Sequence, residues 1–204
     1  MRKINLKRCL ISEIGILMIG IGVAFNAMAQ LGNDPVGIFY DGIRNALNLN
    51  PQQLGMASNG VNVILFIILC LFGRKFINLG TLLYVIPYGT FVSIGTAVYP
   101  KIFTSDALMI KCLGGLTGCM LLYLGVGLYI AMEIGMDPMN GITLLLQEKL
   151  KLEYSKTKWI FDGTMVAVGF LLGGKLGVIT VLTALTGGPG IQMTIKLGKK
   201  LIKE

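Results

Sequence analysis

The chain contains one short phrase twice, and this duplication limits what it can fold into. Leu31-Gly32-Asn33-Asp34-Pro35 follows one long apolar run, and Ile134-Gly135-Met136-Asp137-Pro138 follows another, 103 positions later. Further pairs recur in the same order: Gly20 and Gly22 with Gly125 and Gly127, Asn59-Gly60 with Asp162-Gly163, Gly73-Arg74-Lys75 with Gly173-Gly174-Lys175, and Pro87-Tyr88-Gly89 with Gly188-Pro189-Gly190. An ordered series of this kind indicates two copies of one structural unit.

The composition places this duplicated unit in a membrane. Apolar residues make up 54% of the 204 residues, charged residues only 14%, and the mean hydropathy is +0.74. A soluble domain carries about a quarter charged residues. The apolar residues also form runs close to the roughly 20 residues that cross a bilayer. The sequence therefore predicts an all-α polytopic membrane protein in contact with the lipid bilayer.

Six apolar runs are predicted to cross the membrane: 10–31, 54–72, 79–99, 112–133, 159–172 and 176–197. Residues 1–100 form a first three-helix repeat, 101–111 a linker, and 112–204 a second three-helix repeat. The first run also has the features of a secretory signal peptide, with Ala27-Met28-Ala29 as a cleavage site. Its glycine pair recurs at Gly125 and Gly127, where no signal peptide can lie, so we interpret it as the first transmembrane helix.

Each Gly-x-Asp-Pro corner is followed by a segment too short and too polar to cross. Residues 36–50 and 137–153 are therefore predicted to form short interfacial or re-entrant helices. Asp34 suits the N-cap of the first and Pro35 its first turn, because proline has no N–H to lose there. Asp137 and Pro138 repeat the arrangement.

Three crossings per half is an odd number, so the second half must enter the membrane from the opposite side and form an inverted repeat. The basic residues test this independently. Four fall on one predicted side (Arg44, Lys101, Lys111, Lys175), and fourteen on the other (Arg2, Lys3, Lys7, Arg8, Arg74, Lys75, Lys149, Lys151, Lys156, Lys158, Lys196, Lys199, Lys200, Lys203). The positive-inside rule then predicts that both termini lie in the cytoplasm.

Asp162 is the sharpest candidate for a functional residue. It lies a few residues inside the fifth run, where a carboxylate costs roughly 2.5 to 3.5 kcal/mol even on a lenient insertion scale. Such an acid normally faces the interior of the helical bundle and binds a substrate or ion. Alternatively, Asp162 forms an ion pair with Lys156 or Lys158 at the membrane boundary. Asn59 and Asn62 are its counterparts in the first half, and they either contact a ligand or hold helices together.

The remaining candidate substrate-binding residues sit at corners and helix breaks. Asp34 and Asp137 either cap their short helices or line a substrate path, and Thr81 and Thr180 either cap a helix or line a cavity. Breaks are expected at mid-run proline and glycine residues, at Pro87 and at 187–190. Tyr88 and Gln192, beside these breaks, are candidate cavity polar residues.

Several function classes are excluded by what the chain lacks. The net charge of +8 comes from basic residues at the ends of the runs, which argues against a nucleic-acid partner. The absence of histidine and of any C-x-x-C pair predicts no metal, cofactor or redox role. No nucleophile elbow, zinc-protease motif or phosphate loop is present, so we expect no enzyme.

The chain resembles a known family in the order of its motifs. These are Gly20-Ile21-Gly22-Val23, Leu31-Gly32-Asn33-Asp34-Pro35, an asparagine in the second run, Gly73-Arg74-Lys75 and Gly80-Thr81. Together they resemble the bacterial YczE/YitT-like membrane proteins over about residues 12–195. The resemblance implies a bacterial inner-membrane protein. The second half departs from a strict copy, because Gly127 to Asp137 is two residues shorter than Gly22 to Asp34.

Two functions of different class are consistent with these features. The first is a small-solute permease or substrate-binding membrane component, of which the six-span solute-capture subunit of a vitamin transporter is one version. The second is an accessory protein that binds a partner through glycine-rich helix faces. That partner is either a second copy of the chain or another membrane protein. A polar cavity between the halves would favour the first, and a solid glycine-packed interface would favour the second.

Overall fold

A computed structural model describes residues 5–203, and over this range the chain is helical with no strands. Its helices are α1 (Leu6–Ala29), α2 (Pro35–Ala46), α3 (Leu54–Phe72), α4 (Leu79–Val85), α5 (Tyr88–Ile102), α6 (Leu108–Ala131), α7 (Pro138–Leu150), α8 (Tyr154–Leu171) and α9 (Val178–Lys203). Short 3-10 turns precede α3 and α4. Arg2 and Lys3, used in the charge argument, lie outside the described residues.

Five segments within 5–203 are long and apolar enough to cross a bilayer: Leu6–Ala29, Pro51–Phe72, Leu79–Ile102, Leu108–Ala131 and Val178–Lys200. The chain is therefore a membrane protein in contact with lipid. Helix α8, predicted as the fifth crossing, is not among the five. Its 18 residues include the charged side chains of Lys156, Lys158 and Asp162.

Helices α1 and α6 pack side by side at the centre of the fold, with α5 on α1 and α9 on α6. Glycines let the two backbones meet. A Cβ at Gly22 would lie 2.7 Å from the Gly118 carbonyl oxygen, and one at Gly15 would lie 2.9 Å from the Gly125 oxygen. Because the later residue of α1 meets the earlier residue of α6, the two helices run antiparallel.

Each Gly-x-Asp-Pro corner is seated on the first turn of a helix from the other half of the chain. The carbonyl of Leu31 accepts a hydrogen bond from the Ile179 N–H of α9 at 2.9 Å, and that of Ile134 accepts one from the Gly80 N–H of α4 at 3.1 Å. The first corner turns through Gly32 at φ +100°, a conformation that favours glycine. The corners are thus fixed by tertiary contacts as well as by local turn chemistry.

The structure corrects the sequence prediction at Pro189. We expected the sixth crossing to break at 187–190, but α9 continues through Pro189. A single proline removes one backbone hydrogen bond, and membrane helices tolerate this loss where the rest of the hydrogen-bond ladder and a neighbouring helix support them. At Pro87 the expected break is confirmed, since α4 ends at Val85 and α5 begins at Tyr88.

Other boundaries differ by a few residues. Helix α1 begins at Leu6, α5 continues through Pro100 to Ile102, and α6 begins at Leu108, so the connection between the halves is shorter than predicted. Both short helices after the corners are present as α2 and α7. They pack against α8 and α3 respectively, and the main core lies where they meet α1, α3, α4, α5 and α6.

Candidate functional site

Four tyrosines form a continuous cluster inside the helical bundle, here called the tyrosine cluster: Tyr40, Tyr84, Tyr88 and Tyr129. Each is at most 7% exposed. Tyr84 and Tyr88 lie on either side of Pro87 and stack with ring centroids 4.7 Å apart. Tyr40 lies 5.9 Å from Tyr88, and Tyr129 lies 5.7 Å from Tyr84. Rings from α2, α4, α5 and α6 therefore make one aromatic surface.

The acidic corners of both halves adjoin this cluster. Met139, two residues after Asp137, and Val36, two residues after Asp34, pack in the same core as the four tyrosines. The Tyr129 hydroxyl also donates to the carbonyl of Gly80, whose N–H holds the second corner. The two corners, which are 103 residues apart in the sequence, thus converge on one buried aromatic surface.

Asp34 and Asp137 occupy equivalent N-caps but make different contacts. Asp137 accepts hydrogen bonds from the Asn140 backbone N–H at 3.0 Å and from Asn140 Nδ2 at 2.6 Å, so the capping interpretation is correct there. The Asp34 side chain makes no capping bond of good geometry, and its Oδ1 is buried without a partner. Burial raises the pKa of Asp34 to about 6, and the backbone N–H groups of Gly37 and Val36 act in the opposite direction and lower it.

The residue before each aspartate explains part of this difference. Asn33 accepts a hydrogen bond from the Asp34 N–H at 2.9 Å and donates to the carbonyl of Val23 at 3.0 Å, and its side chain packs over the backbone of Gly37. The second half has Met136 at the equivalent position, which cannot make these bonds. Asn33 therefore occupies the start of α2, where a capping side chain would otherwise lie.

Two asparagines of α3 add unpartnered acceptors. Asn62 is fully buried, and its Nδ2 donates to Tyr40 Oη at 2.8 Å and to the Ser58 carbonyl at 2.9 Å. Its Oδ1 has no partner, and neither has the buried Oδ1 of Asn59, one turn earlier on the same helix. Buried acceptors without donors are costly, so this arrangement needs an explanation.

Asp162 lies at the edge of the same region. Its Oδ1 is 2.6 Å from Lys158 Nζ, and both side chains are about one-third exposed, whereas Lys156 pairs with Glu153 instead. The predicted pairing alternative is therefore correct for Lys158. Both members of the pair also interact electrostatically with Asp34, which connects them to the tyrosine cluster.

The other predicted residues do not join the tyrosine cluster directly. Thr81 is fully buried and donates to the Met136 carbonyl at 2.8 Å, so it fixes the second corner. Thr180 Oγ1 accepts from the Gly177 N–H at 3.3 Å beside the first corner, and Gln192 is exposed on α9. Sequence reasoning missed Tyr40, Tyr84 and Tyr129; the spacing of Tyr84 and Tyr88 around Pro87 was the available signal.

Two cavities lie elsewhere in the fold. One of about 10 Å³, close to the size of a single water, borders the first corner and is lined by residues that include Asn26, Gln30, Asp41 and Lys175. The other, about 270 Å³, lies between α2 and α3 and has an apolar lining that includes Phe39, Ile43, Met56 and Ile64.

The chain is similar over most of its length to a protein family and to two bacterial proteins. Residues 6–196 match a family described as a family of unknown function (DUF6198). The chain is 26% identical over 185 residues to a Haemophilus influenzae protein described as uncharacterized, covering 90% of this chain and 81% of that one. It is 24% identical over 193 residues to the uncharacterized membrane protein YczE of Bacillus subtilis, covering 92% and 85%. These matches confirm the resemblance to YczE-like membrane proteins. No solved structure matches the chain.

Proposed function

Since the chain belongs to the DUF6198 family, whose description assigns no activity, we propose its function from its own geometry: a small-solute permease or substrate-binding membrane component. We place it in the bacterial inner membrane as a multi-pass protein and propose no enzymatic role for it. The single observation that carries the proposal is the buried carboxylate of Asp34, uncapped at the convergence of the two corners. Ionisable side chains buried inside a membrane protein usually serve solute or ion pathways.

The proposed architecture is six crossings arranged as two inverted repeats, in which α8 is the fifth crossing in chain order and completes the set of six. Eighteen helical residues extend about 27 Å, close to the thickness of the hydrocarbon core. The glycine contacts support the inversion. The corners are related by an offset of 103, at which Gly15 and Gly22 correspond to Gly118 and Gly125, and the observed contacts exchange these partners. This equivalence replaces the pairing of Gly20 and Gly22 with Gly125 and Gly127 that the sequence suggested. Such exchange is the signature of a two-fold axis between equivalent elements.

Contacts between helix ends support the proposed orientation. Lys75 pairs with Glu148, and Lys199 with Glu133 at 3.4 Å; all four residues fall on the predicted cytoplasmic side. Lys175 donates to Gln30 Oε1 at 3.0 Å on the predicted outer side. A wrong assignment of any crossing would have put one partner of such a pair on the opposite face.

Cysteine labelling tests this topology. Leu47 and Leu150 are equivalent at the offset of 103 and are 61% and 52% exposed. In a variant without the four native cysteines, we expect an impermeant thiol reagent added outside the cell to label Leu47→Cys, and to label Leu150→Cys only after the membrane is opened. Labelling of both positions from the same side would contradict the inverted repeat.

Uptake into proteoliposomes tests the permease proposal. We expect the purified protein to accumulate at least one component of a pooled metabolite mixture, detected by mass spectrometry, and Asp34→Asn to abolish that accumulation. Asp106→Asn is the matched control, because the Asp106 side chain is fully exposed in the connection between α5 and α6. Equal accumulation by wild type and Asp34→Asn, or none by wild type, would contradict the proposal.

The accessory-protein alternative has its own supporting observation. The α1–α6 interface is solid and glycine-packed, and the cavity between α2 and α3 is apolar, which suits the docking of a partner helix. Under this alternative, crosslinking in native membranes would capture one stable neighbour, and the metabolite mixture would leave no component inside the vesicles.

A further inference from the structure

We propose that the solute bound at the tyrosine cluster is a small organic cation whose charged group donates hydrogen bonds, such as a primary ammonium. This inference rests on the proposed permease function and adds to it the chemical class of the solute. Three features of the described residues carry it: the balance of charge, the unpartnered acceptors and the aromatic surface.

The fixed charge around the site is negative. Asp34 and Asp137 adjoin the tyrosine cluster, and Asp162 acts on Asp34 from the edge. Lys158 also acts on Asp34, but it is already paired with Asp162. A helix N-terminus would suit an anion, but Asn33 covers the start of α2 and Asp137 caps the start of α7. An anionic solute would meet net repulsion, and a cation would relieve it.

Three of the buried polar atoms without partners are acceptors at the proposed site: the Oδ1 atoms of Asp34, Asn59 and Asn62. One unpartnered donor, Asn26 Nδ2, lies beside the first corner. The orientation of the Asn62 amide is fixed, because its Nδ2 already donates to Tyr40 Oη and the Ser58 carbonyl. A ligand that satisfies the three oxygens must therefore bring N–H or O–H donors. An ammonium group has three such donors and no acceptor.

The tyrosine cluster supplies a surface suited to the same charge. Cations are attracted to the faces of aromatic rings, and the attraction grows when both groups are removed from water. Tyr40 connects this surface to the acceptors, since it receives the Asn62 hydrogen bond and lies 5.9 Å from Tyr88. An alkylammonium could thus place its N–H groups on the oxygens and its alkyl part against the rings.

A binding experiment with four probes separates these contributions. Methylammonium has charge and donors, tetramethylammonium has charge without donors, acetamide has donors without charge, and acetate is an anion. Using the full-length protein in detergent, we expect methylammonium to bind at least about tenfold more tightly than each of the other three, the range expected for charge-assisted hydrogen bonds. Sodium chloride at matched concentration serves as the reference for a bare cation.

Variants assign the binding to these residues. We expect Asp34→Asn and Asn62→Ala each to weaken methylammonium binding by about tenfold or more, while the exposed Asp106→Asn retains wild-type affinity. Retained thermal unfolding transitions establish that the variants are folded, and the two site variants provide independent tests if either fails to fold.

The outcomes distinguish this inference from the function on which it rests. If acetate or acetamide binds more tightly than methylammonium, or if sodium or tetramethylammonium binds equally well, the solute is not a hydrogen-bond-donating organic cation. If the pooled uptake assay then shows accumulation of a neutral or anionic solute, the protein is a permease but its solute is not a cation. If no probe binds and no metabolite accumulates, the permease function and the cationic solute class are both wrong.

Discussion

Replacement of Asp34 by asparagine is expected to make the protein more stable at neutral pH, and to abolish solute uptake at the same time. The buried carboxylate has a pKa of about 6 in the folded protein, against an ordinary value of 3.8. The folded state therefore holds this proton more tightly than the unfolded state does. The free energy of unfolding therefore falls by about 3 kcal/mol in total as the pH rises from the unfolded-state pKa to above the folded-state pKa. Asparagine removes the ionisation and its cost.

The measurement is the thermal unfolding midpoint in detergent as a function of pH. Wild type should lose stability between about pH 4 and pH 6, and Asp34→Asn should lack this component while showing the higher midpoint at pH 7. A midpoint for Asp34→Asn below that of wild type at pH 7 would show that the carboxylate is stabilised by a partner.

The same substitution at Asp137 is the matched control, and its expected sign is opposite. Asp137 accepts two hydrogen bonds from Asn140, at 3.0 Å and 2.6 Å, and lies at the N-terminus of α7. Asparagine there loses the charge and presents an amide to the Asn140 Nδ2 donor. We expect Asp137→Asn to destabilise the protein by about 1 to 2 kcal/mol. Shifts of the same sign at both corners would contradict this account.

Replacement of Gly22 by alanine is expected to prevent the accumulation of folded protein or to destabilise it by about 1 to 3 kcal/mol. The added Cβ would lie 2.7 Å from the Gly118 oxygen and 2.8 Å from the Leu122 nitrogen. Both are backbone atoms of α6 and cannot move aside by a change of rotamer, so the central α1–α6 contact must open.

Gly60→Ala is the control for this substitution. Gly60 lies within α3, and a Cβ there meets nothing within 4 Å. Because alanine favours a helix over glycine by about 1 kcal/mol, this variant should be as stable as wild type or more so. Gly125→Ala, in α6, should behave like Gly22→Ala, since its Cβ would lie 2.5 Å from the Gly15 oxygen. The thermal unfolding midpoint of each of the three variants is measured by fluorescence-detected gel filtration. A Gly22→Ala midpoint equal to that of wild type would contradict the close backbone contact.

Local chemistry made some of this fold predictable. Pro35 and Pro138 supply first-turn residues, and the aspartates before them occupy the N-cap positions, so α2 and α7 could be predicted from the corners alone. The same local logic failed at Pro189, because Pro87 and Pro189 give similar sequence signals and only the tertiary surroundings decide which helix continues.

The candidate site was less accessible to sequence reasoning. Asp34 and Asp137 look alike in the sequence, but they differ because Asn33 occupies the start of α2 while Met136 leaves the start of α7 to the aspartate. Tyr40 and Tyr129 carry no distinctive spacing, and they meet Tyr84 and Tyr88 only through the packing of separate helices. The sequence could not show that these four tyrosines share one buried surface, because they come together only when their helices pack.

The seating of each corner on the opposite half makes the two halves depend on each other. Neither half closes its own bend: the Leu31 carbonyl is satisfied from α9, and the Ile134 carbonyl from α4. A half expressed alone would lose the N–H group that pairs with this carbonyl, and a backbone carbonyl left buried without a donor costs about 1 to 3 kcal/mol. Each half therefore needs the other to complete its turn.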